Sequence, residues 1–238
     1  MTYIPDNIVR IRERIAEAAR RAGRDPADIT LVAVTKTRSA EIVRAGVEAG
    51  LTDVGENRLE EALPKMIAVA SPHLRWHLIG HIQSRKAKAA IEAGFALIHS
   101  VDSVKLAERL NRFAVELGRS QPILLECNVF GEATKSGFEM SNPTRWAARL
   151  PEIAQILALP NVRVRGLMTI APIVEQSEQA RPVFARLREL RHYLSAQLTT
   201  SPEAWRELSM GMTDDFEAAI AEGATLVRIG RALFGEWA

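Results

Sequence analysis

Lys36 is the side chain whose type and position most clearly suggest chemistry. It follows an apolar, β-branched segment, residues 29–35, that predicts a strand covered on both faces. A lysine at the end of such a strand is partly desolvated, which favours the neutral form of its amine. A neutral amine attacks carbonyl carbons and forms Schiff bases. The alternative is a lysine whose ammonium group simply extends into solvent.

Two glycine-containing segments late in the chain predict a phosphate site. One contains Ser209 and Gly211, and the other contains Arg228, Gly230 and Arg231. Together they supply a hydroxyl, guanidinium groups and unobstructed backbone N–H groups, which are the groups that bind phosphate. In (β/α)8 barrels the loops after the last two strands often hold a phosphate. The alternative is that Gly211 and Gly230 are ordinary turn residues.

Three further polar side chains are candidate ligands. Asn57 follows the second predicted strand, where it could bind a polar ligand or cap the next helix. His77 and His81 are four residues apart, but they flank Gly80 where a strand becomes a loop, so the helical spacing of a zinc site is missing. We therefore expect no metal. We also expect no catalytic nucleophile at Cys127, which lies inside a predicted strand as a small core residue.

These residues need a scaffold, and the sequence predicts one that alternates strands and helices. The predicted strands cover residues 29–35, 52–54, 75–79, 95–99, 122–129, 162–168, 205–209 and 225–229. A helix precedes the first strand, at residues 5–22, and a helix follows each strand. We expect an α/β fold, a single (β/α)8 TIM barrel with an extra N-terminal helix, forming one domain over residues 1–238. An open doubly wound sheet is disfavoured because no Gly-x-Gly-x-x-Gly follows the first strand.

Composition narrows the range of partners. The 238 residues include 47% hydrophobic and 25% charged residues, and the net charge is only +2, which gives no support for nucleic-acid binding. The longest uncharged runs are about ten residues, too short for a membrane span. One cysteine rules out an internal disulfide and agrees with a reducing compartment. We expect a soluble cytoplasmic protein, as a monomer or a weak dimer.

Seven stretches, one in almost every barrel loop, share a pattern with a known family. They are 31–36 (LVAVTK), 54–57 (VGEN), 76–84 (WHLIGHIQS), 135–137 (KSG), 166–168 (GLM), 208–212 (LSMGM) and 227–230 (VRIG), the last followed by Phe234 and Gly235. In these stretches the sequence resembles the pyridoxal phosphate homeostasis protein family. Its members are small barrel proteins that bind pyridoxal 5′-phosphate (PLP) and share their fold with the N-terminal domain of alanine racemase.

The resemblance implies a function and a set of site residues. Lys36 would hold PLP as a Schiff base, and the phosphate or the ring would lie near Ser209, Arg228 and Gly230. Further cofactor-binding residues implied by the resemblance or by the loops are Asn57, His81, Met168, Gly211 and Arg231. Members of the family have no established turnover and buffer or deliver the cofactor, with effects on vitamin B6 balance. PLP-dependent apo-enzymes would then be partners, and Lys135 would mark a second cofactor site.

Two departures and two other function classes stay open. Arg231 stands where many relatives have a small hydroxyl residue, and Phe130 and Gly131 make the loop before Lys135 less polar than usual. One alternative function is a PLP-dependent amino-acid racemase. It needs an acid or base on each face of the ring, and only Lys36 is an obvious candidate. The other alternative is a Schiff-base aldolase acting on a sugar phosphate.

Overall fold

The barrel is formed by parallel strands whose order follows the sequence. A computed structural model describes residues 3–132, 136–198 and 201–235. The strands in these residues are β1 (Thr30–Val34), β2 (Asp53–Glu56), β3 (Arg75–Leu78), β4 (Leu97–Val101), β5 (Gln121–Asn128), β6 (Phe138–Glu139), β7 (Val162–Met168), β8 (Glu207–Ser209) and β9 (Leu226–Ile229). The order β4-β3-β2-β1-β9-β8-β7-β5 closes through pairing of β4 with β5. Every pairing is parallel, so all strand carboxyl ends meet at one end of the barrel.

Helices surround the strands and bury one face each. They are α1 (Ile4–Arg21), α2 (Ala40–Glu48), α3 (Leu59–Val69), α4 (Ala87–Ala93), α5 (Val104–Glu116), α6 (Trp146–Leu157), α7 (Arg181–Gln197), α8 (Phe216–Ala221) and α9 (Arg231–Phe234). The leading helix α1 buries Ile8, Ile11 and Ile15, whose spacing of three and four residues places them on one face. It packs against α8 and α9. No helix in the described ranges is long and apolar enough to cross a bilayer.

The predicted barrel with its extra N-terminal helix is confirmed, and the differences are local. Strand β4 begins two residues later than predicted, which places His99 inside the barrel rather than at the strand end. The loop predicted at residues 130–142 contains β6, where Phe138 pairs with Cys127 of β5 and is buried. A strand of two residues is too short to produce a periodic hydrophobic pattern.

The interior of the barrel is only partly apolar. One compact apolar cluster lies inside it, with side chains from five strands: Val32, Leu97, Leu124, Met168 and Leu226. Strands β2, β3 and β8 instead contribute the buried polar side chains of Asp53, His77 and Ser209. The apolar cluster does not fill the barrel along its whole length. A cavity therefore remains at each end, one of about 430 Å³ and one of about 480 Å³.

Candidate functional site

The cavity at the carboxyl ends of the strands, called the mouth cavity here, has a volume of about 430 Å³. Volumes in this range are typical of sites for small molecules. Its lining combines apolar and ionisable side chains: Val34, Lys36, Asn57, Ile79, Gly80, His81, Glu126, Ser136, Ile170, Met212 and Arg228. Four of the predicted binding residues, Lys36, Asn57, His81 and Arg228, are thus brought together by four different strands.

The backbone turns sharply directly after Lys36. Thr37 has a φ of 60°, which lies in the left-handed region that a β-branched residue rarely adopts. The Thr37 N–H donates to Glu61 Oε2 at 2.9 Å, and this bond holds the turn. Strained conformations of this kind persist where the surroundings fix them, often at binding sites. The turn allows Lys36 to line the mouth cavity while the chain leaves for α2.

A buried ion pair fixes the residue before Lys36. The Thr35 hydroxyl donates to Glu56 Oε1 at 2.6 Å, and Lys65 Nζ donates to the same oxygen and to the Thr35 carbonyl, each at 2.8 Å. Burial raises the pKa of Glu56, while the hydrogen bonds from Lys65 and Thr35 oppose this shift. The strand end that carries Lys36 is therefore held from both sides.

Arg228 places a cation against the inner wall of the mouth cavity. It is 5% exposed, and it donates from Nη1 to Ser209 Oγ at 2.5 Å and from Nη2 to the Thr169 carbonyl at 2.9 Å. Burial lowers the pKa of Arg228 to about 10, while Asp215 and Glu126 raise it. The guanidinium therefore remains charged at neutral pH. Those two bonds use only part of its five N–H donors, and the side chain lines the cavity.

A chain of buried polar groups continues from Arg228 down the barrel. Distances of 2.8, 2.9 and 2.9 Å join Ser209 Oγ to His99 Nδ1, His99 Nε2 to His77 Nδ1, and His77 Nε2 to Asp53 Oδ1. Arg228 can only donate and an ionised Asp53 can only accept, so the chain has a donor at the mouth and an acceptor at its other end. Burial, followed by the charges of His77 and Arg228, lowers the pKa of His99 well below its usual value, so the His99 imidazole is neutral.

The chain ends on a paired carboxylate at the opposite end of the barrel. Arg75 donates to Asp53 from Nε and from Nη2, each at 2.7 Å. Burial alone would raise the pKa of Asp53, but hydrogen bonds from His77, Arg75 and Thr52 outweigh it and lower the pKa to about 2. Sequence reasoning considered His77 only as a metal ligand, whereas its ring bonds to His99 and Asp53.

Glu126 is a site residue that sequence reasoning missed. It lies on β5, is 7% exposed and lines the mouth cavity. Burial and the nearby Asp102 raise its pKa to about 7, although Arg228 and His81 oppose the shift. An acidic residue between Leu125 and Cys127 in an otherwise apolar strand is the signal that would have indicated it.

The other predicted site residues lie outside the lining of the mouth cavity. Ser209 is fully buried behind Arg228, and Met168 belongs to the apolar cluster inside the barrel at 1% exposure. Gly211 has a φ of 92°, and a Cβ there would lie 2.6 Å from the Ala219 Cβ, so this glycine also allows α8 to pack closely. Gly230 immediately precedes α9.

Three further predicted site residues have ionisable side chains. The Arg231 guanidinium binds the Asp214 carboxylate. His81 Nδ1 lies 3.1 Å from Asp102 Oδ2, so its imidazole turns towards a carboxylate. Lys135, which the resemblance associates with a second cofactor site, lies outside the described residues. Within the described part of the chain, no three His, Cys, Asp or Glu side chains gather as a metal site would require.

Comparisons with known proteins extend over almost the whole chain. The model of the alanine racemase N-terminal domain family matches residues 7–237. A pyridoxal phosphate homeostasis protein of Pseudomonas aeruginosa is 47% identical, over 99% of this chain and 96% of that protein. The structure of PipY from Synechococcus elongatus PCC7942 with PLP bound is 40% identical and has a TM-score of 0.77, covering 93% of this chain and 100% of that one.

A more distant similarity concerns the fold alone. An alanine racemase of Clostridium difficile in complex with cycloserine is 16% identical, with a TM-score of 0.69, and the match covers 94% of this chain and 59% of the racemase. The full-length curated relatives bear the name of a homeostasis protein rather than that of an enzyme. The chain therefore belongs to the alanine racemase N-terminal domain family and, within it, to the pyridoxal phosphate homeostasis proteins.

Proposed function

We propose that this protein binds PLP at the mouth cavity, holds it as a Schiff base on Lys36, and buffers or delivers it to PLP-dependent apo-enzymes in the cytoplasm. The observation that carries the proposal is the presence of a primary amine and a buried guanidinium in one cavity of about 430 Å³. A relative that is 40% identical has been solved with PLP bound. Cys127 is the single cysteine and forms no disulfide, which agrees with the reducing environment of the cytoplasm.

The residues present fit this cofactor. The aldehyde of PLP supplies an electrophilic carbon for a lysine amine. The Lys36 nitrogen forms a bond to that carbon, and the carbonyl oxygen leaves as water. The strained turn at Thr37 and the ion pair behind Thr35 keep the amine at the cavity rather than in solvent. The orientation of Lys36 is therefore set before the cofactor arrives.

Arg228 would face the pyridine nitrogen of the cofactor. A guanidinium only donates hydrogen bonds, so a ring nitrogen bound to it stays unprotonated. An unprotonated ring withdraws electrons less strongly, which favours holding the cofactor over carbanion chemistry. We expect Arg228→Glu to change the absorption spectrum of the bound cofactor, and an unchanged spectrum would place this side chain elsewhere.

The phosphate would bind near the two glycine segments. The backbone N–H groups around Gly211 and Gly230 and the charge of Arg231 supply the donors. Arg231 is held by Asp214, so its contribution to the phosphate requires that pair to be shared or broken. Ser209 is fully buried with its hydroxyl between Arg228 and His99, so we expect it to act by positioning Arg228.

Transfer of the cofactor tests the carrier role directly. Loaded protein, freed of excess PLP, is mixed with an apo-enzyme that requires PLP, and recovery of the apo-enzyme's activity is followed. We expect recovery with the wild-type protein and with Lys88→Ala, a lysine that is 57% exposed. Lys36→Ala prepared in the same way should give none. Recovery no greater than that produced by the protein-free filtrate would contradict the proposal.

One observation keeps a PLP-dependent racemase as a second candidate. Racemases need two acid–base groups, and Glu126 lines the same cavity as Lys36 with a pKa raised to about 7. Neither tyrosine of the sequence lines this cavity, since Tyr3 precedes α1 and Tyr193 packs on Trp146. Exchange of the amino-acid Cα hydrogen in D2O, lost in both Lys36→Ala and Glu126→Gln, would favour the racemase.

A further inference from the structure

The second cavity lies at the amino-terminal end of the barrel and is called the base cavity here. It has a volume of about 480 Å³, and each of the eight barrel strands contributes to its lining at or near its first residue. Three arginines line it: Arg75, Arg163 and Arg165. No part of the proposed cofactor site reaches this end. The base cavity is therefore a separate candidate for ligand binding.

A β-bulge directs Arg165 at this cavity. Val164 pairs with Ile123 and Gly166 pairs with Leu124, so Arg165 is an extra residue between two paired positions. Such bulges recur at barrel rims and re-aim a side chain. Gly166 makes the bulge possible, because its φ is 153° and a Cβ there would lie 1.8 Å from the Glu207 carbonyl oxygen. The backbone thus accepts a local distortion that places an arginine in the cavity.

The guanidinium of Arg165 has no counterpart in the surrounding protein. Within the described residues it makes no hydrogen bond and no ion pair, and it is half-buried. Arg163 donates from Nε to the Ser120 hydroxyl at 2.8 Å, which orients its guanidinium without neutralising it. Neither Arg163 nor Arg165 therefore pairs with a carboxylate among the described residues.

The carboxylates of the cavity are already occupied. Asp53 accepts hydrogen bonds from Nε and Nη2 of Arg75, and its Oδ1 lies 2.9 Å from His77 Nε2. Glu207 Oε2 accepts the Thr225 hydroxyl at 2.6 Å, and its Oε1 lies 3.7 Å from Arg206 Nε. Asp53 is thus paired with Arg75 and Glu207 with Arg206, so neither acid of the lining is paired with Arg163 or Arg165. Guanidinium groups in this arrangement match the oxygens of phosphate or carboxylate.

We propose that the base cavity binds a small oxyanion, a phosphate or a carboxylate, and that Arg163 and Arg165 are its principal ligands. The bulge at Arg165, the absence of a partner for its guanidinium among the described residues, and the contacts that already engage the two acids of the lining all point to an anion as its counterpart. The two ligand types share the same chemistry of charge-assisted hydrogen bonds. Their relative affinities distinguish them in the experiment below.

The test uses the full chain saturated with PLP, so that the proposed phosphate grip at the mouth is filled. Inorganic phosphate, and separately succinate, are titrated calorimetrically at constant ionic strength. We expect saturable binding of at least one probe, weakened at least tenfold by Arg165→Ala, as the loss of a charge-assisted hydrogen bond implies. Arg163→Ala should weaken it in the same direction. Arg112→Ala, which removes an exposed arginine outside both cavities, should leave this binding unchanged.

Three results would overturn the proposal: no saturable binding of either probe, equal binding by Arg165→Ala and the wild type, or a loss of the same size in Arg112→Ala. Arg165→Ala removes no hydrogen bond within the described part of the chain, so we expect its circular dichroism spectrum to match that of the wild type. If Arg165→Ala does not fold, the affinity of Arg163→Ala for the probes tests the proposal instead, since Arg163 is exposed to solvent. An unchanged affinity in that variant would contradict the anion site. Binding of the same strength with and without PLP would support the base cavity as a separate site. Failure of PLP to attach to the protein would contradict the proposed function of the mouth cavity, but not the anion site at the base.

Discussion

The two ends of the barrel handle buried charge in different ways. At the mouth, Arg228 is enclosed and a nearby carboxyl, Glu126, has a pKa raised to about 7 by its burial and by Asp102. At the base, Asp53 is neutralised by two-point contact with Arg75 and has a pKa lowered to about 2. Glu126 at the mouth can therefore gain or lose a proton near neutral pH, whereas Asp53 at the base stays ionised there.

The two ends are also physically connected. The chain from Arg228 through Ser209, His99 and His77 to Asp53 joins them by hydrogen bonds of 2.5 to 2.9 Å. It has a pure donor, Arg228, at the mouth and a pure acceptor, the ionised Asp53, at the base. Rigid pairing at the base therefore fixes the position of the cation at the mouth, which is what a site for a rigid aromatic ligand requires.

At the base of the barrel, we expect a substitution of Gly166 to have the largest effect on stability. We expect Gly166→Ala to lower the free energy of unfolding by about 4 kcal/mol or more, or to prevent folding, because the added Cβ meets the Glu207 carbonyl at 1.8 Å. Urea unfolding measures this. As a control, Gly23→Ala meets nothing within 4 Å, although its φ is also positive, and should cost about 1 kcal/mol. Equal losses in the two variants would show that the bulge is not tightly built.

Breaking the connection between the ends should have the next largest effect. His99→Leu removes the partner of His77 Nδ1 and one of the two partners of Ser209 Oγ inside the barrel, and we expect a loss of about 2–4 kcal/mol in the free energy of unfolding. His73→Leu, at an exposed position, should change it by less than about 0.5 kcal/mol. If His99→Leu cost no more than His73→Leu, the polar chain would contribute nothing to stability.

The mouth carboxyl predicts a pH dependence of definite sign. The pKa of Glu126 is about 7 in the folded protein and 4.5 as an ordinary glutamate, so the folded state retains its proton longer. Its contribution to the free energy of unfolding therefore falls as the pH rises from about 4.5 to 7, by at most about 3 kcal/mol. Glu126→Gln should remove this fall and be relatively more stable at pH 8 than at pH 5. The same wild-type-to-variant difference at both pH values would contradict the assignment.

The base carboxylate predicts the opposite sign and a smaller effect. Because the pKa of Asp53 is lowered from 3.8 to about 2, its stabilisation is complete above pH 3.8 and is lost as the pH falls towards 2. We expect it to contribute about 2 kcal/mol at neutral pH, so Asp53→Asn should be less stable by about that amount at pH 7 and nearly equal to the wild type at pH 2. Asp28→Asn, at an exposed position, is the control. A loss that persisted at pH 2 would mean that packing, not charge, is involved.

The sequence could predict features that depend on neighbouring residues, but not those that depend on partners far away in the chain. Lys36 was found because a lysine ends an apolar run, and the barrel because strands and helices alternate, which are both local signals. The bond between His99 and Ser209 joins residues 110 positions apart and depends on the stagger of the strands. The bulge at Arg165 leaves only Gly166, a glycine inside a strand, as a hint in the sequence. The inward position of Met168 likewise follows from register rather than from pattern.

The central claim is that Lys36 is the attachment point of PLP, and reduction followed by mass spectrometry tests it most directly. The protein is incubated with PLP, reduced with borohydride, digested and sequenced by tandem mass spectrometry, with Lys36→Ala and Lys88→Ala treated in parallel. We expect the wild-type protein and Lys88→Ala to carry the reduced cofactor on Lys36 at near-stoichiometric yield, and Lys36→Ala to carry none. Modification spread over several surface lysines, or retained at the same yield in Lys36→Ala, would contradict it.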